Sequence, residues 1–329
     1  MMLITTQLIL ASLLSSSAPD LDSGKKLRQD GKFEEAIVAF QEILASQPDS
    51  LEAQRELGHS LALAGRYREA IEAYEKLAAS EDLRWQLESA KWSGWTHLYL
   101  GDIDRSLTEA EKEAELAKQL GERSAQVHAI WYTGHVRTEL EQFGRANAAF
   151  VAALELGPDD LNALHQVGVL ATKQGDWGSL RYQIQDLEQA VARSGRPDQL
   201  RRVYHLQGEL AISQGNPKKA HERLEKANGL FPHPLYQDAI ARAYLAEENL
   251  AEAAATYRAI VESTDQRLDV PDYYVNTLFE LAKTLDALEK SEEAASHYQK
   301  FLEHWGKAGD SLPGVTDAKK RLGELQAAS

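Results

Sequence analysis

Ten histidines are spread along a chain of 329 residues that contains no cysteine. Disulfides, zinc–thiolate sites and cysteine nucleophiles are therefore excluded. A histidine metal site needs several imidazoles around one ion. His128 and His135 share a helical face, but seven residues of rise separate them by about 10 Å, whereas one ion needs nitrogens about 2 Å away. No histidine pair stands four residues apart with a carboxylate on the same face, so no metal is expected. The chain also has no G-x-S-x-G, no glycine-rich phosphate loop and no H-E-x-x-H. The carboxylate pairs Glu34/Glu35 and Glu292/Glu293 open helices, where acids complement the helix dipole. Asp102 and Asp104 follow a turn glycine without the further oxygens of a calcium loop. An enzyme is not expected, and neither is a cofactor.

The elements that would position these side chains are clearest between Leu51 and Asp82. One helix is predicted from about Leu51 to Ala64, with Leu57, Leu61 and Ala64 on one face. Gly65 breaks it, and a second helix from about Tyr67 to Ala79 aligns Ala70, Ile71, Tyr74 and Leu77. Gly58 sits inside the first helix, where glycine costs about 1 kcal/mol against alanine, so a close approach by the second helix is expected there, opposite Ala70. Neither apolar face can be buried by one hairpin, which calls for neighbours.

Those neighbours recur along the chain. The Gly58/Gly65 spacing returns as Gly24/Gly31, Gly94/Gly101, Gly168/Gly175 and Gly208/Gly215. A small residue followed four later by a bulky one returns as Ala36/Phe40, Ala70/Tyr74, Ala146/Phe150, Ala220/Leu224, Ala253/Tyr257 and Ala294/Tyr298. Pro48, Pro158 and Pro232 close units. This pattern resembles the tetratricopeptide repeat, a helix–turn–helix of about 34 residues. The resemblance implies an all-α, right-handed solenoid of about eight hairpins. They are placed at 17–50, 51–84, 87–120, 127–160, 161–194, 201–233, 234–267 and 275–308. The third runs long through its second helix and carries Ser106/Ala110 in place of the small/bulky pair. The fifth is degenerate, with Trp177, Leu180 and Ile184 as anchors. Residues 18–194 form one group of five repeats and 195–329 the remainder, separated by the break Ser194–Asp198. A spacer at Arg267–Asp272, a loop at Asp310–Gly314 and a capping helix at Thr316–Gln326 complete the reading, with Thr316 as N-cap and Ala318, Leu322 and Leu325 on one face.

In this family the first helix of each hairpin lines a concave groove, with offsets two, five and nine on one face. Carried over, the resemblance points to Arg55 and His59, Lys91 and Trp95, then His128, Trp131 and His135. Further along it points to His165, Arg202, His205, Arg242 and Lys283. Half of the ten histidines fall on this face, beside basic residues in a chain where acids outnumber bases 51 to 36. Aromatic and arginine side chains together make the composition of a binding surface. The expected function is a scaffold or adaptor that holds a peptide segment carrying carboxylates. An architectural role through lateral or oligomeric packing is the alternative. The lysine and asparagine that some relatives use to clamp chaperone C-termini are missing: the matching positions hold Leu21 and Lys25, then Arg55 and His59.

A net charge of −15 argues against nucleic acid and anionic membranes as partners. No membrane span is expected, and the oligomeric state is left open. Met1–Ala18 resembles a short secretory signal, with apolar Leu8–Leu14 and the small run Ser15–Ala18, although no Lys or Arg precedes the apolar core. Cleavage near Ser17 would leave the repeats intact and place the protein in the periplasm or outside the cell; a cytoplasmic location is the alternative.

Overall fold

The computed structural model describes residues 20–263, 271–309 and 312–328. The signal-like stretch Met1–Ala18, most of the Arg267–Asp272 spacer and part of the Asp310–Gly314 loop lie outside the described residues.

Seventeen α-helices occur among the described residues, and no strand. Four precede Leu83: α1 (Leu21–Gln29), α2 (Phe33–Ser46), α3 (Leu51–Leu63) and α4 (Tyr67–Ala78). Next come α5 (Leu83–Tyr99), α6 (Ile103–Leu120), α7 (Arg123–Glu139), α8 (Phe143–Leu156), α9 (Leu161–Gln174) and α10 (Trp177–Ser194). A 3₁₀ turn, Pro197–Gln199, precedes α11 (Leu200–Ser213), α12 (Pro217–Leu230), α13 (Pro234–Ala246) and α14 (Leu250–Glu262). The last three are α15 (Pro271–Ala287), α16 (Ser291–Trp305) and α17 (Val315–Ala328). Odd and even helices pair into eight hairpins, and α17 stands alone at the end. The chain divides into two compact units, Met1–Ser89 and Ala90–Ser329. This division lies inside α5; at Ser194–Asp198 a left-handed Gly195 cap is followed by the 3₁₀ turn.

Two boundaries differ from the sequence reading. Helix α15 already begins at Pro271, because proline suits the first helical position and ends the spacer early. Helix α17 begins at Val315, so Thr316 lies inside it and is not its N-cap. Helix α6 stops at Leu120, where the sequence places the end of its repeat and Gly121 takes a left-handed conformation.

Every hairpin turn has the same backbone. The residue two before each second helix has positive φ: Gly31, Gly65, Gly101, Gly175 and Gly215 in five hairpins, and Glu141, Glu248 and Glu289 in three. The left-handed turn is thus a property of the repeat, kept even where a side chain opposes it.

All six small/bulky pairs are buried. The helical glycines explain themselves through the bulky member. A Cβ on Gly58 would lie 2.4 Å from the Tyr74 ring, so the close neighbour is that ring and not Ala70. Gly24 meets Phe40 in the same way, Gly134 meets Phe150 and Gly208 meets Leu224. The two irregular repeats borrow their filling from the following hairpin. Gly168 is covered by Leu206. In the third hairpin, where Ala110 replaces the large side chain, buried Tyr132 packs with Ala110 and Trp95. Ser106 Oγ donates to the Tyr132 oxygen over 2.8 Å, and Tyr132 donates on to the Gly94 carbonyl over 3.1 Å.

The second unit closes on itself. Trp305, buried at the end of α16, donates its indole N–H to the Leu98 carbonyl over 3.0 Å. Gly101 lies against the Trp305 backbone, where a Cβ would sit 3.3 Å away. Tyr99 stacks within 6.0 Å of both Tyr274 and His304. Asn276 on α15 donates to Glu139 on α7 over 3.1 Å.

Candidate ligand-binding interior of the second unit

The first helices of the hairpins from α7 to α15 face this interior, and two adjoining cavities lie there. The smaller, of about 180 Å³, is lined by Trp95, Trp131 and His135. Asn162, His165 and Gln166 of α9 continue it, followed by Arg201 and Arg202 of α11. Phe231, His233, Leu235, Tyr236 and Tyr273 complete the wall. Among the described residues that line it there is no Asp or Glu, in a chain with net charge −15.

Arg202 is the centre of this cavity. Its guanidinium donates to the side-chain carbonyls of Gln199 and Asn162 and forms no ion pair among the described residues. Burial lowers its pKa, the neighbouring Arg201 and Arg196 add to that, and Asp160 acts in the opposite sense. Arg201 beside it reaches Asp198 at 3.0 Å and stands 5.1 Å from the centre of the Phe231 ring.

The larger cavity, of about 580 Å³, shares Leu235 and Tyr273 with the smaller one. Its walls are apolar at Phe143, Val169, Trp177 and Ile212. Its charge is opposite: Glu139, Glu141, Glu209, Asp238 and Glu280 stand against Lys173 and Arg242. Lys173 donates to Glu139 over 2.7 Å. Arg242 engages both oxygens of buried Glu209 and donates its Nε–H to Asp238 over 2.9 Å. Burial alone would push the Glu209 carboxyl up, but Arg242, with His205, holds it far below the usual carboxylate range. Burial likewise opposes the charge of Arg242, and Glu209 and Asp238 outweigh it, raising its pKa.

A buried chain of side chains joins the two cavities. His205 Nε2 faces Glu209 at 3.3 Å, and His205 Nδ1 lies 3.0 Å from His165 Nε2. Across the His165–His205 contact one imidazole nitrogen donates and the other accepts. Burial, then the neighbouring His205, lowers the pKa of His165 well below the ordinary value.

The residues expected from the sequence distribute as follows. Trp95, Trp131, His135, His165 and Arg202 meet in the smaller cavity. His205 and Arg242 line the larger one. His128 lies on the same helix as Trp131 and pairs with Glu113 at 2.8 Å. Trp95 is buried against Tyr132, with ring centres 4.2 Å apart, so it packs hairpins together as well as lining the wall. Lys91 stands 4.6 Å over the Trp92 ring, and exposed Lys283 pairs with Glu280; neither lines a cavity. Arg55 and His59 belong to the first unit. Arg55 pairs there with Glu56 at 3.0 Å and lies over Trp85, while His59 is buried beside Tyr74. Glu139 and Lys173, one turn further along the same stripe, were within reach of the offsets. The loop residues Phe231 and His233, and Tyr273, carry no repeat signal. Among the described residues no group of three or more His, Asp or Glu could hold a metal, and no helix is long and apolar enough to cross a membrane.

With this geometry the chain is of the all-α repeat class whose first helices line an interior surface. The tetratricopeptide repeat family model matches residues 21–83 and 205–267, one stretch in each unit, so the chain carries tetratricopeptide repeats in both. Among solved structures, a Rap protein complexed with competence and sporulation factor is similar in fold, with a TM-score of 0.51 at 12% identity over 93% of this chain and 98% of that one. Yeast Tom70 gives a TM-score of 0.48 at 16% identity over 91% of this chain, which spans 61% of the Tom70 chain. A tetratricopeptide repeat protein from Parabacteroides merdae gives 0.41 at 14% identity, over 93% of this chain and 97% of that one. No curated protein sequence matches the chain. Tetratricopeptide-repeat proteins are generally protein-interaction scaffolds.

Proposed function

We propose that the second unit binds a protein segment through a carboxylate received at Arg202, with Trp131, Phe231 and Tyr236 supplying apolar walls. One observation carries this reading: among the described residues, a cavity without acidic lining holds an arginine that has no ion pair, inside a strongly acidic chain. A guanidinium carries five N–H donors in a planar fork that matches a carboxylate, and Gln199 and Asn162 accept from one terminal nitrogen each. Aromatic walls add contact area with little loss of side-chain freedom. Such a site serves recognition, and nothing in it requires a bond to be broken.

The test is selection of random dodecapeptides, displayed on phage, against the full chain. Selected peptides are expected to carry an Asp or Glu whose change to Asn or Gln weakens binding at least tenfold by calorimetric titration. Arg202→Gln is expected to abolish that discrimination with an unchanged circular dichroism spectrum. Selected peptides without acids, or equal loss in wild type and Arg202→Gln, would overturn the reading.

A further inference from the structure

We infer that the bound segment is bipolar: next to the group that meets Arg202 it carries a cationic side chain, an ammonium or a guanidinium, whose head lies in the larger cavity between Glu141 and Glu280. The inference rests on the reading of Arg202 just given and adds the second half of the ligand.

Adjacency comes first. Leu235 and Tyr273 line both cavities, so a chain leaving the smaller one over these two side chains enters the larger. Size fits as well, because about 580 Å³ is within the range of cavities that enclose a ligand group rather than brush it. Charge then selects the occupant. Five carboxylates face two cations, and the cations are already committed to Glu139, Glu209 and Asp238. Both Glu139 oxygens are taken, by Lys173 and Asn276. Both Glu209 oxygens are taken by Arg242.

Two acids are left over. Glu141 makes no side-chain hydrogen bond or ion pair among the described residues. It occupies the left-handed turn position that other hairpins give to glycine, at φ 56°. Among the described residues Glu280 pairs only with Lys283 on its own helix, a half-exposed contact of the kind that contributes little. The apolar wall from Phe143 through Val169, Trp177 and Ile212 suits the methylene stem of a Lys or Arg, with the charged head kept at the acidic end. An anionic occupant would meet net repulsion from five carboxylates set against two cations.

The same phage selection separates the two claims. Enriched dodecapeptides are expected to carry a Lys or Arg within a few residues of the Asp or Glu. Replacing that base by Gln is expected to weaken binding to wild-type protein about tenfold, and to change binding to the Glu141→Gln/Glu280→Gln protein less than twofold. Acid enriched without a neighbouring base overturns the bipolar ligand and leaves the Arg202 reading standing. A base effect that persists undiminished in the double variant also overturns it, because the cation then sits elsewhere. Loss of acid enrichment overturns both. Circular dichroism of the double variant checks the fold, and an acid-only peptide bound equally by both proteins checks the first cavity.

Discussion

Arg55 in the first unit and Arg202 in the second stand on the same face of equivalent hairpins, yet only one of them is available. Arg55 pairs with Glu56 at 3.0 Å and reaches Glu52 at 4.0 Å, while Glu56 also takes Arg28 at 2.9 Å. Arg202 has two amide carbonyls and, among the described residues, no paired carboxylate. A basic residue on a concave stripe therefore says little until the acids around it are counted. Arg242 shows the third possibility, a charge wholly consumed in holding Glu209 inside the fold.

Substitutions along this series should separate these roles. The largest effect belongs to Arg242→Met, which leaves Glu209 buried without compensation. Urea unfolding should show a loss of about 3–5 kcal/mol. Next is Arg202→Gln, with its loss of carboxylate discrimination of at least tenfold in peptide binding and a nearly unchanged urea midpoint. A similar loss of stability in both variants would erase the distinction drawn between them.

Acid titration gives a smaller effect. His165 is neutral when folded because burial and His205 lower its pKa, whereas the unfolded chain binds a proton near the ordinary value. The unfolded state then holds more protons, so stability rises with pH. It is complete above about pH 6.5 and declines below that by up to about 1.4 kcal/mol per pH unit. Urea midpoints at pH 7.5 and 5.5 should differ in wild type and differ less in His165→Gln. Smallest is Arg55→Gln, a change of less than about 0.5 kcal/mol in stability and less than twofold in peptide binding. A tenfold binding loss there would move the site into the first unit.

What could be read from the sequence was whatever depends on spacing within a hairpin. The turn glycines and the pairs from Ala36/Phe40 to Ala294/Tyr298 are local, and each lies where its spacing puts it. The offsets of the first helices also brought Trp131, His165 and Arg202 to the smaller cavity and Arg242 to the larger, because a regular repeat brings equal offsets to the same side. Contacts between hairpins were not legible. Nothing near Tyr132 says that it fills the space left by Ala110, and nothing near Gly168 points to Leu206. Counter-ions were equally hidden: Arg55 and Arg202 look alike until the fold brings Glu56 to one and Asn162 to the other.

The hydrogen bond from Trp305 to Leu98 joins residues 207 apart in the chain. An open array of repeats has two ends and can fray from either, since each repeat leans only on its neighbours. With its last hairpin fastened to its first, the second unit has lost that freedom. Its hairpins are bound to unfold together, and it must close a very long loop late in folding, which slows the search. The interior that receives a ligand is therefore a property of the whole circuit, and a lesion in any one hairpin is felt all the way round it.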